Sequence, residues 1–448
     1  MSATAVQEAP APFRRMPLRH VMAVFVGNGL EFYDFLTFSY FAVYISKTFF
    51  PKGNPSVALL ATLATFGIGF LTRPVGAYVI GRMGDRIGRK PAMVFSFTLM
   101  GVAIIGLALT PTYAMIGFVA PALVLVFRML QGFALGGEVG PTTAFMAEAA
   151  PPEKRGLYLS MQYATQDGAV LTAGIVGTIL ASHLSEQQLT AWGWRVAMLL
   201  GATAVPFGLL LRRTLPETFS QAAAPAAEMA AAESTGTRPY LRIIVLGLMM
   251  LTAGTIGSYT LNYMTTYALD TLHLAPTIAF TLIIVNGAAS IVFEATSGWL
   301  SDKFGRKPVM IIPEILLLLS ILPCFWLISH TKRFEVIYGA EIVMAMFAAL
   351  ASVPVIVTIT ETFPRHIRSG AVALVYAFAI SVFGGSTQFV LKLLIAKTGN
   401  PLAPAFYWTA ASVVGLTAMC LVKESAPRKT GRVTSVSPAV QVLAPEVE

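Results

Sequence analysis

Charged and amide side chains occur deep inside apolar stretches of this sequence, where only a few kinds of chemistry are open to them. Arg128 lies about midway through the stretch 115–148, and Gln131 follows three residues later, on the same face of a helix. A guanidinium group can hold a carboxylate through two parallel hydrogen bonds. We therefore predict that Arg128 and Gln131 bind an anionic ligand. In the alternative interpretation, Arg128 pairs with a protein carboxylate such as Asp167.

Two carboxylates and an amide lie in the first apolar stretch. Asp34 and Glu31 are near its middle, and Asn28 precedes Glu31 by about one helical turn. A charged side chain at the centre of a bilayer costs about 2.5–3.5 kcal/mol on insertion scales, which favours the uptake of a proton by a carboxylate there. We predict that Asp34, and after it Glu31, carries a proton, and that Asn28 contacts the ligand. The alternative is a structural hydrogen bond to Arg73 or Arg128.

Other polar residues extend the set of candidates. Asp167, near the middle of the fifth stretch, is predicted to carry a proton or to pair with Arg128. Glu138 is a further candidate for proton coupling, with close helix packing at the neighbouring glycines as the alternative. Tyr259 and Asn262 lie on one helical stripe and could bond ligand oxygens; helix packing is the alternative. The remaining carboxylates in apolar stretches lie nearer the ends and are predicted to be interfacial or structural: Glu294, Glu314 and Glu341.

The composition places these side chains in a membrane protein. The chain has 448 residues, of which 56% are hydrophobic and only 12% charged, whereas soluble proteins carry about 25% charged residues. The apolar stretches are long enough to cross a bilayer and lack the alternation of barrel strands, so they predict transmembrane helices. The predicted fold is an all-α membrane protein with twelve transmembrane helices in two pseudo-symmetric six-helix halves. The predicted spans are 19–46, 56–81, 91–110, 115–148, 157–182, 193–212, 241–269, 276–300, 308–329, 335–361, 370–397 and 402–423.

The basic residues predict the orientation in the membrane. With both termini in the cytoplasm, 22 of the 31 Lys and Arg residues lie on the cytoplasmic side and 5 on the opposite side, the asymmetry that orients membrane proteins. The net charge of +9 therefore reflects topology, and no nucleic-acid partner is expected. The predicted domains are a cytoplasmic tail (1–18), a six-helix bundle (19–213), a cytoplasmic linker (214–240), a second six-helix bundle (241–423) and a cytoplasmic tail (424–448).

The loop after the second span is repeated after the eighth. Gly81-Arg-Met-Gly-Asp-Arg-Ile-Gly-Arg-Lys-Pro91 corresponds to Gly298-Trp-Leu-Ser-Asp-Lys-Phe-Gly-Arg-Lys-Pro308, and a Glu and an Arg seven residues apart recur after spans four and ten. An acidic residue at the membrane edge can pair with a basic residue of a neighbouring helix. An ion pair of this kind that breaks in one conformation of the transporter can act as a gate. Basic loops that only set topology are the alternative. The predicted cytoplasmic gate comprises Asp85, Arg86, Arg89, Asp302, Lys303, Arg306, Glu148, Arg155, Glu361 and Arg368.

Short motifs within residues 19–423 carry a resemblance to a known family. They are Gly27-Asn-Gly-Leu-Glu-Phe-Tyr-Asp34, Arg73-Pro-Val-Gly76, Arg128-Met-Leu-Gln-Gly132 and Glu361-Thr-Phe-Pro-Arg-His-Ile-Arg368. In these motifs and in the repeated loop, the chain resembles the major facilitator superfamily and, within it, the metabolite:proton symporter family. Phe49-Phe-Pro51 and Trp192-Gly-Trp-Arg195 are similar to the citrate and tricarballylate symporters of that family.

The resemblance implies the major facilitator fold and a secondary active transporter. Such a protein would take up a small organic acid, a tricarboxylate such as citrate or tricarballylate, in symport with protons by alternating access. A dicarboxylate, a betaine or another osmolyte, or an aromatic acid is the alternative substrate, and sodium is the alternative coupling ion. No bound cofactor or metal is expected. The expected partners are an organic anion and the lipid of the cell inner membrane, and we expect the protein to function as a monomer.

Three residues depart from the pattern of the family that the chain resembles. Asp167 and Lys392 stand where the family commonly has uncharged residues, and Gln388 stands where it commonly has proline. Lys392 lies near the outer end of span eleven, so its ammonium either extends to the membrane interface or turns inward. In the inward orientation, Lys392 and Gln388 are predicted to bind a second carboxylate of the substrate.

The sequence carries no pattern that indicates an enzyme. It has no cluster of residues with metal-ligand spacing, no Ser/His/Asp arrangement and no phosphate-binding Gly-Lys loop. A membrane sensor that does not transport is the alternative class of protein. A sensor would be expected to add a cytoplasmic domain, and the segment Lys423–Glu448 offers little room for one.

Overall fold

The fold is all-helical in the part of the chain that the structure describes. This computed structural model describes residues 29, 32–50, 53–87, 89–136, 150–213, 241–331, 333–363 and 365–430. The helices are α1 (residues 32–40 and Ala42–Phe49), α2 (Pro55–Leu71 and Arg73–Ile87), α3 (Arg89–Leu109), α4 (Val119–Leu135), α5 (Arg155–His183), α6 (Trp194–Arg213), α7 (Leu241–Thr266), α8 (Pro276–Phe304), α9 (Arg306–His330), α10 (Phe334–Thr362), α11 (Arg365–Ala379 and Gly385–Thr398) and α12 (Ala403–Leu421).

These helices correspond to the twelve predicted spans. Within the described residues, eight helices are long and apolar enough to cross a membrane, and shorter apolar helices cover Val94–Leu109 and Val119–Leu135. At 1.5 Å per residue, the 25 residues of α9 exceed the hydrocarbon thickness of about 30 Å. Large apolar side chains such as Leu319 and Leu374 are more than half exposed, as expected for surfaces that face lipid. The predicted all-α fold is confirmed, while the predicted linker (214–240) lies outside the described residues.

Local sequence signals fix several helix ends. Asn54 accepts hydrogen bonds from the backbone N–H groups of Ser56 and Val57 and thereby caps α2. Gly305 lies between α8 and α9 with a φ of 102°, a conformation that favours glycine and allows the sharp turn within the repeated motif. A π-helical turn follows α7 at Tyr267–Thr271, and another interrupts α11 at Ile380–Gly384.

The two halves touch directly where small residues line the interface. The halves are taken as α1–α6 and α7–α12. A Cβ atom added to Gly156 of α5 would lie 2.6 Å from the carbonyl oxygen of Gly298 of α8, and the reverse distance is also 2.6 Å. Gly67 of α2 and Gly385 of α11 are in similarly close contact. Larger residues would push the backbones apart, so these glycines allow the halves to pack closely.

An aromatic cluster forms the core next to this interface. Phe35, Phe66 and Phe70 pack together, with ring centroids 4.7–5.3 Å apart. The cluster continues into the second half, because the ring of Tyr259 lies 5.5 Å from that of Phe70. The buried charges of the first half are embedded in these rings.

Candidate functional site

Arg128 is completely buried in the aromatic cluster. Its side chain on α4 has no exposed surface. The guanidinium carbon lies 4.3 Å from the ring centroid of Phe35, 4.5 Å from that of Phe38 and 5.0 Å from that of Phe66. Aromatic faces attract a cation and partly replace water around it. The rings therefore accommodate the charge of Arg128 without using its hydrogen-bond donors.

Gln131 connects Arg128 to Asp34. Arg128 Nη1 donates a hydrogen bond to Gln131 Oε1 at 2.8 Å, and Gln131 Nε2 donates one to Asp34 Oδ2 at 2.7 Å. Gln131 and Asp34 are as deeply buried as Arg128. We call these three residues the Arg128 unit. The structure brings together residues that the sequence predicted for ligand and proton binding, and their roles stay predictions.

The Arg128 unit keeps open hydrogen-bonding positions. Among the described residues, Arg128 Nε, Arg128 Nη2 and Asp34 Oδ1 have no hydrogen-bond partner although all three atoms are buried. A buried polar group without a partner typically costs about 1–3 kcal/mol. The predicted alternative of a pair between Arg128 and Asp167 is not what the structure has, since the link of Arg128 runs through Gln131 to Asp34. The open donors of Arg128 can hold an anion.

A cavity of about 140 Å³ lies between the halves, beside the Arg128 unit. Its wall includes Tyr259 and Asn262, as predicted for ligand contact, together with Asp167. The ring of Tyr259 packs against Phe66 and Phe70 on its other side. Tyr259 therefore stands between the cavity and the rings that surround Arg128. Asn262 is held in place by the hydroxyl of Tyr40, which donates to Asn262 Oδ1 at 2.6 Å.

Three carboxyl groups border the cavity, and two of them were not expected there. Asp167 of α5 and Glu294 of α8 lie in the same wall on two helices that pack across the interface, close enough to interact, and Glu314 of α9 lies in that wall too. Glu294 and Glu314 were predicted to be interfacial or structural; the interfacial position is wrong, because both are buried, with 4% and 5% of their surface exposed. α8 continues to Phe304, so Glu294 lies farther from the helix end than the predicted span implied. Glu341 is also fully buried, away from the cavity.

A signal for this wall was present in the sequence. Asn286, Ser290 and Glu294 recur every four residues on α8, and all three line the cavity. Residues spaced by four lie on one face of a helix. A polar stripe within an apolar helix indicates a face that is turned away from lipid. This periodicity would have placed Glu294 in the interior.

Lys392 and Gln388 are buried inside the protein but do not line the described cavity. Lys392 Nζ forms an ion pair with Asp270 Oδ2 at 2.5 Å, and only 5% of Lys392 is exposed. Asp270 is on the π-helical turn that follows α7. Gln388 accepts a hydrogen bond from Ser39 of the first half at 2.7 Å. Lys392 is turned inward, but its ammonium is paired with Asp270 of the second half and does not line the described cavity.

A network of charges joins the halves at the end of the molecule that carries the repeated motif, which we call the motif end. Asp302 accepts hydrogen bonds from the backbone N–H groups of Gly156 and Leu157, both at 2.9 Å, at the beginning of α5. A carboxylate at this position is also favoured by the helix dipole. Arg306 Nη1 donates to Asp302 at 2.7 Å. The second-half motif thus binds the first residues of a first-half helix.

Glu361 completes the network. It accepts hydrogen bonds from Arg306 Nε at 3.2 Å and Arg306 Nη2 at 3.0 Å, and Arg155 Nη1 of the first half lies 4.0 Å away. We call Asp302, Arg306, Glu361 and Arg155 the interface network. Four residues of the predicted gate are thereby brought together.

Glu424 stabilises the helix that carries Arg306. Its carboxylate accepts hydrogen bonds from the backbone N–H groups of Arg306 at 2.9 Å and Lys307 at 3.0 Å, which are the first residues of α9. Partial burial disfavours the charge of Glu424, but the backbone donors of Ala426, Lys307, Arg306 and Ser425 outweigh it and hold the pKa of Glu424 below its ordinary value. Glu424 therefore acts as a helix cap that sequence analysis did not predict.

The remaining predicted gate and site residues take no described part in these clusters. Lys303 is exposed and lies over the rings of Trp299 and Phe304, at 5.1 and 5.3 Å, and Arg86 is exposed. The predicted residues Asn28, Glu31, Glu138 and Glu148 lie outside the described residues, as do the side chains of Asp85, Arg89 and Arg368.

Comparison with known proteins gives the family. A family model for sugar (and other) transporters matches residues 20–239, and one for the major facilitator superfamily matches residues 246–445. A citrate-proton symporter of Klebsiella pneumoniae is 32% identical over 402 residues, covering 89% of this chain and 90% of the relative. The chain belongs to the major facilitator superfamily. It is therefore a multi-pass membrane transporter and not an enzyme.

Other similar members of the superfamily are named for different substrates. A putative proline/betaine transporter of Staphylococcus haemolyticus is 33% identical over 417 residues, covering 92% of this chain and 88% of the relative. The crystal structure of a D-xylose-proton symporter superposes with a TM-score of 0.75 at 18% identity, covering 93% of this chain and 99% of that structure. The structural match confirms the major facilitator fold of two six-helix halves.

The two halves of this facilitator-superfamily protein are in contact at both ends of the interface. At the motif end, Gly156 meets Gly298 and the interface network crosses between the halves. Toward the opposite end, Phe41 of α1 packs against Phe280 of α8, with ring centroids 4.7 Å apart. The cavity and the Arg128 unit lie between these two contacts.

Proposed function

We propose that the protein takes up a small organic acid, a tricarboxylate such as citrate or tricarballylate, in symport with protons across the cell inner membrane. The observation that carries this proposal is the Arg128 unit: a buried guanidinium with two open donors that is joined through one amide to a buried carboxylate. An organic anion supplies the missing acceptors for Arg128 Nε and Nη2. The similarity to a citrate-proton symporter supports the choice of substrate.

The Arg128 unit suggests how the proton and the anion are coupled. When Asp34 is ionised, its charge balances that of Arg128 through Gln131. When Asp34 takes up a proton, the unit carries a net positive charge and attracts an anion. The substrate reaches Arg128 from the cavity after Tyr259 moves aside. A proton on Asp34 and a carboxylate at Arg128 therefore favour each other's binding.

Transport follows from alternating contacts between the halves. We place the motif end at the cytoplasm, with both termini on that side, because most basic residues lie there. The interface network then holds the cytoplasmic side closed while the substrate enters from outside. Release of the substrate into the cytoplasm requires the hydrogen bonds between Asp302 and the N-terminus of α5 to break. The halves then close at the end opposite the motif end.

Uptake of labelled citrate into vesicles that contain the purified protein tests this proposal. We expect accumulation under an imposed pH gradient without sodium, collapse of the accumulation with a protonophore, and a weaker pH dependence in Asp34→Asn. Glu341→Gln is the matched control, since Glu341 is equally buried but away from the cavity. Accumulation that requires sodium, or absence of citrate uptake by correctly inserted protein, would contradict the proposal.

A zwitterionic osmolyte is a second candidate substrate. The described cavity wall holds three carboxyl groups and no Lys or Arg, which favours a ligand with a positive group. A betaine could place its carboxylate at Arg128 and its ammonium near Asp167, Glu294 and Glu314. Inhibition of citrate uptake by excess glycine betaine, or uptake of labelled betaine in place of citrate, would favour this candidate.

A further inference from the structure

Asp167 and Glu294 lie together in the wall of the cavity, on helices that belong to different halves. Asp167 belongs to α5 of the first half, and Glu294 belongs to α8 of the second half. The helices are in backbone contact there, because a Cβ atom added to Gly287 of α8 would lie 3.0 Å from the carbonyl oxygen of Asp167. Any change in this pair acts directly on the interface between the halves.

Two carboxyl groups can share a hydrogen bond only when one of them is protonated, since a carboxylate has no donor. Without that proton, two adjacent negative charges would repel each other in a region of low dielectric constant. Glu294 is nine-tenths buried, and its Oε2 has no hydrogen-bond partner in the described part of the chain. The pair can therefore hold a proton on one carboxyl group, and Glu294 Oε2 remains a buried acceptor without a partner among the described residues.

The groups that face the pair do not supply a compensating positive charge. They are Tyr40 of α1, Tyr163 of α5, Tyr259 of α7, Glu314 of α9 and Tyr376 of α11. None of them is a cation, and the described cavity wall contains no Lys or Arg. Among the described residues, no three His, Cys, Asp or Glu side chains are grouped closely enough to hold a metal ion. The ligand that fits the pair is a proton.

We infer that Asp167 and Glu294 form a second proton site, separate from Asp34, whose proton ties α5 to α8 and travels with the substrate. The inference rests on the proposed function for the transport step, but not for the binding of the proton. The proton enters from water that reaches the cavity, forms an O–H bond with one carboxyl group and leaves to water on the other side, with no other bond made or broken. Its departure leaves two like charges on opposite halves, which favours separation of α5 from α8.

A measurement without substrate tests the proton site itself. Infrared difference spectra between low and high pH report the carbonyl stretch of carboxyl groups that gain a proton. We expect the wild type to show a band that is absent from both Glu294→Gln and Asp167→Asn. Glu294→Gln keeps a donor for Asp167 and so preserves the contact, which guards against misfolding. If both folded variants show the same carboxyl bands as the wild type, the inference is overturned.

The number of protons carried per substrate tests the coupling. In vesicles, the citrate gradient that just balances an imposed pH gradient gives this ratio. We expect Glu294→Gln to carry about one proton fewer per citrate than the wild type, and the control Glu341→Gln to match the wild type. An unchanged ratio in Glu294→Gln would overturn the coupling. A wild type that does not transport citrate with protons, yet shows the infrared band, would refute the proposed function and leave the proton site intact.

Discussion

The interface network and the Arg128 unit are both buried clusters built around an arginine, yet they differ in how completely they are paired. In the interface network, all three nitrogens of the Arg306 guanidinium donate to Asp302, Ser301 or Glu361. In the Arg128 unit, only Nη1 of Arg128 has a hydrogen-bond acceptor among the described residues.

The difference separates a structural contact from a binding site. A charge with all its donors used is stabilised by the protein alone and gains little from a ligand. A buried charge with unused donors is costly, at about 1–3 kcal/mol for each unsatisfied group, until something supplies the acceptors. Binding of an anion would therefore stabilise the Arg128 unit. Separation of the halves would instead break hydrogen bonds of the interface network and cost free energy.

The largest expected effect is on the Arg128 unit. Arg128→Ala should reduce citrate uptake by about 1,000-fold or more, which corresponds to about 4 kcal/mol, because truncating one partner of a buried charged pair costs about 2–5 kcal/mol. Arg128→Lys keeps the charge but loses the forked geometry and should recover only part of the uptake. Uptake near the wild-type rate in Arg128→Ala, with protein in the membrane, would remove Arg128 from the site.

The next largest effect is expected on stability, in the interface network. Arg306→Ala leaves Asp302 and Glu361 without their main cationic partner and should lower the unfolding free energy by about 3 kcal/mol. Thermal denaturation of the purified protein measures the change. Lys303→Ala is the control, because Lys303 is exposed and should alter stability little. Equal denaturation temperatures for Arg306→Ala and Lys303→Ala would contradict a fully paired network.

The comparison also shows what the sequence alone could predict. The repeated motif and the seven-residue spacing of Glu361 and Arg368 indicated charged contacts at one end of both halves, and Asp302, Arg306 and Glu361 do meet there. The proximity of Arg128 and Gln131 followed from helical spacing. Even the inward position of Glu294 was readable from its stripe with Asn286 and Ser290.

The contacts between distant helices could not be predicted in this way. Lys392 meets Asp270, and Ser39 meets Gln388, across 122 and 349 residues of sequence. Helical periodicity fixes which residues share a face, but it does not fix which two helices pack together or at what height. For Lys392 the sequence therefore predicted an ammonium either at the membrane interface or at the substrate site. In the structure the ammonium pairs with a carboxylate on a π-helical turn.

A smaller effect is expected for the Lys392–Asp270 pair. Lys392→Met removes the partner of Asp270, which is only partly buried, so the unfolding free energy should fall by about 2 kcal/mol. The double variant Lys392→Met/Asp270→Asn removes both charges and should recover most of that loss. Because the pair does not border the cavity, the preference for citrate over dicarboxylates should be unchanged in the double variant. A changed preference would return Lys392 to the substrate site.

The smallest effect is expected at Glu424, where the interface network is supported through the helix cap of α9. Because the pKa of Glu424 is lowered in the folded protein, its stabilising effect is complete above the ordinary pKa of a glutamate and disappears as the pH falls through the lowered value. Glu424→Gln should cost about 1 kcal/mol or less at pH 7, and the variant and wild type should converge in strong acid. The control is Glu335→Gln in the first turn of α10, where the carboxylate is exposed and no side chain caps the helix. A difference between Glu424→Gln and wild type that persists unchanged in acid would show that Glu424 acts through packing and not through its charge.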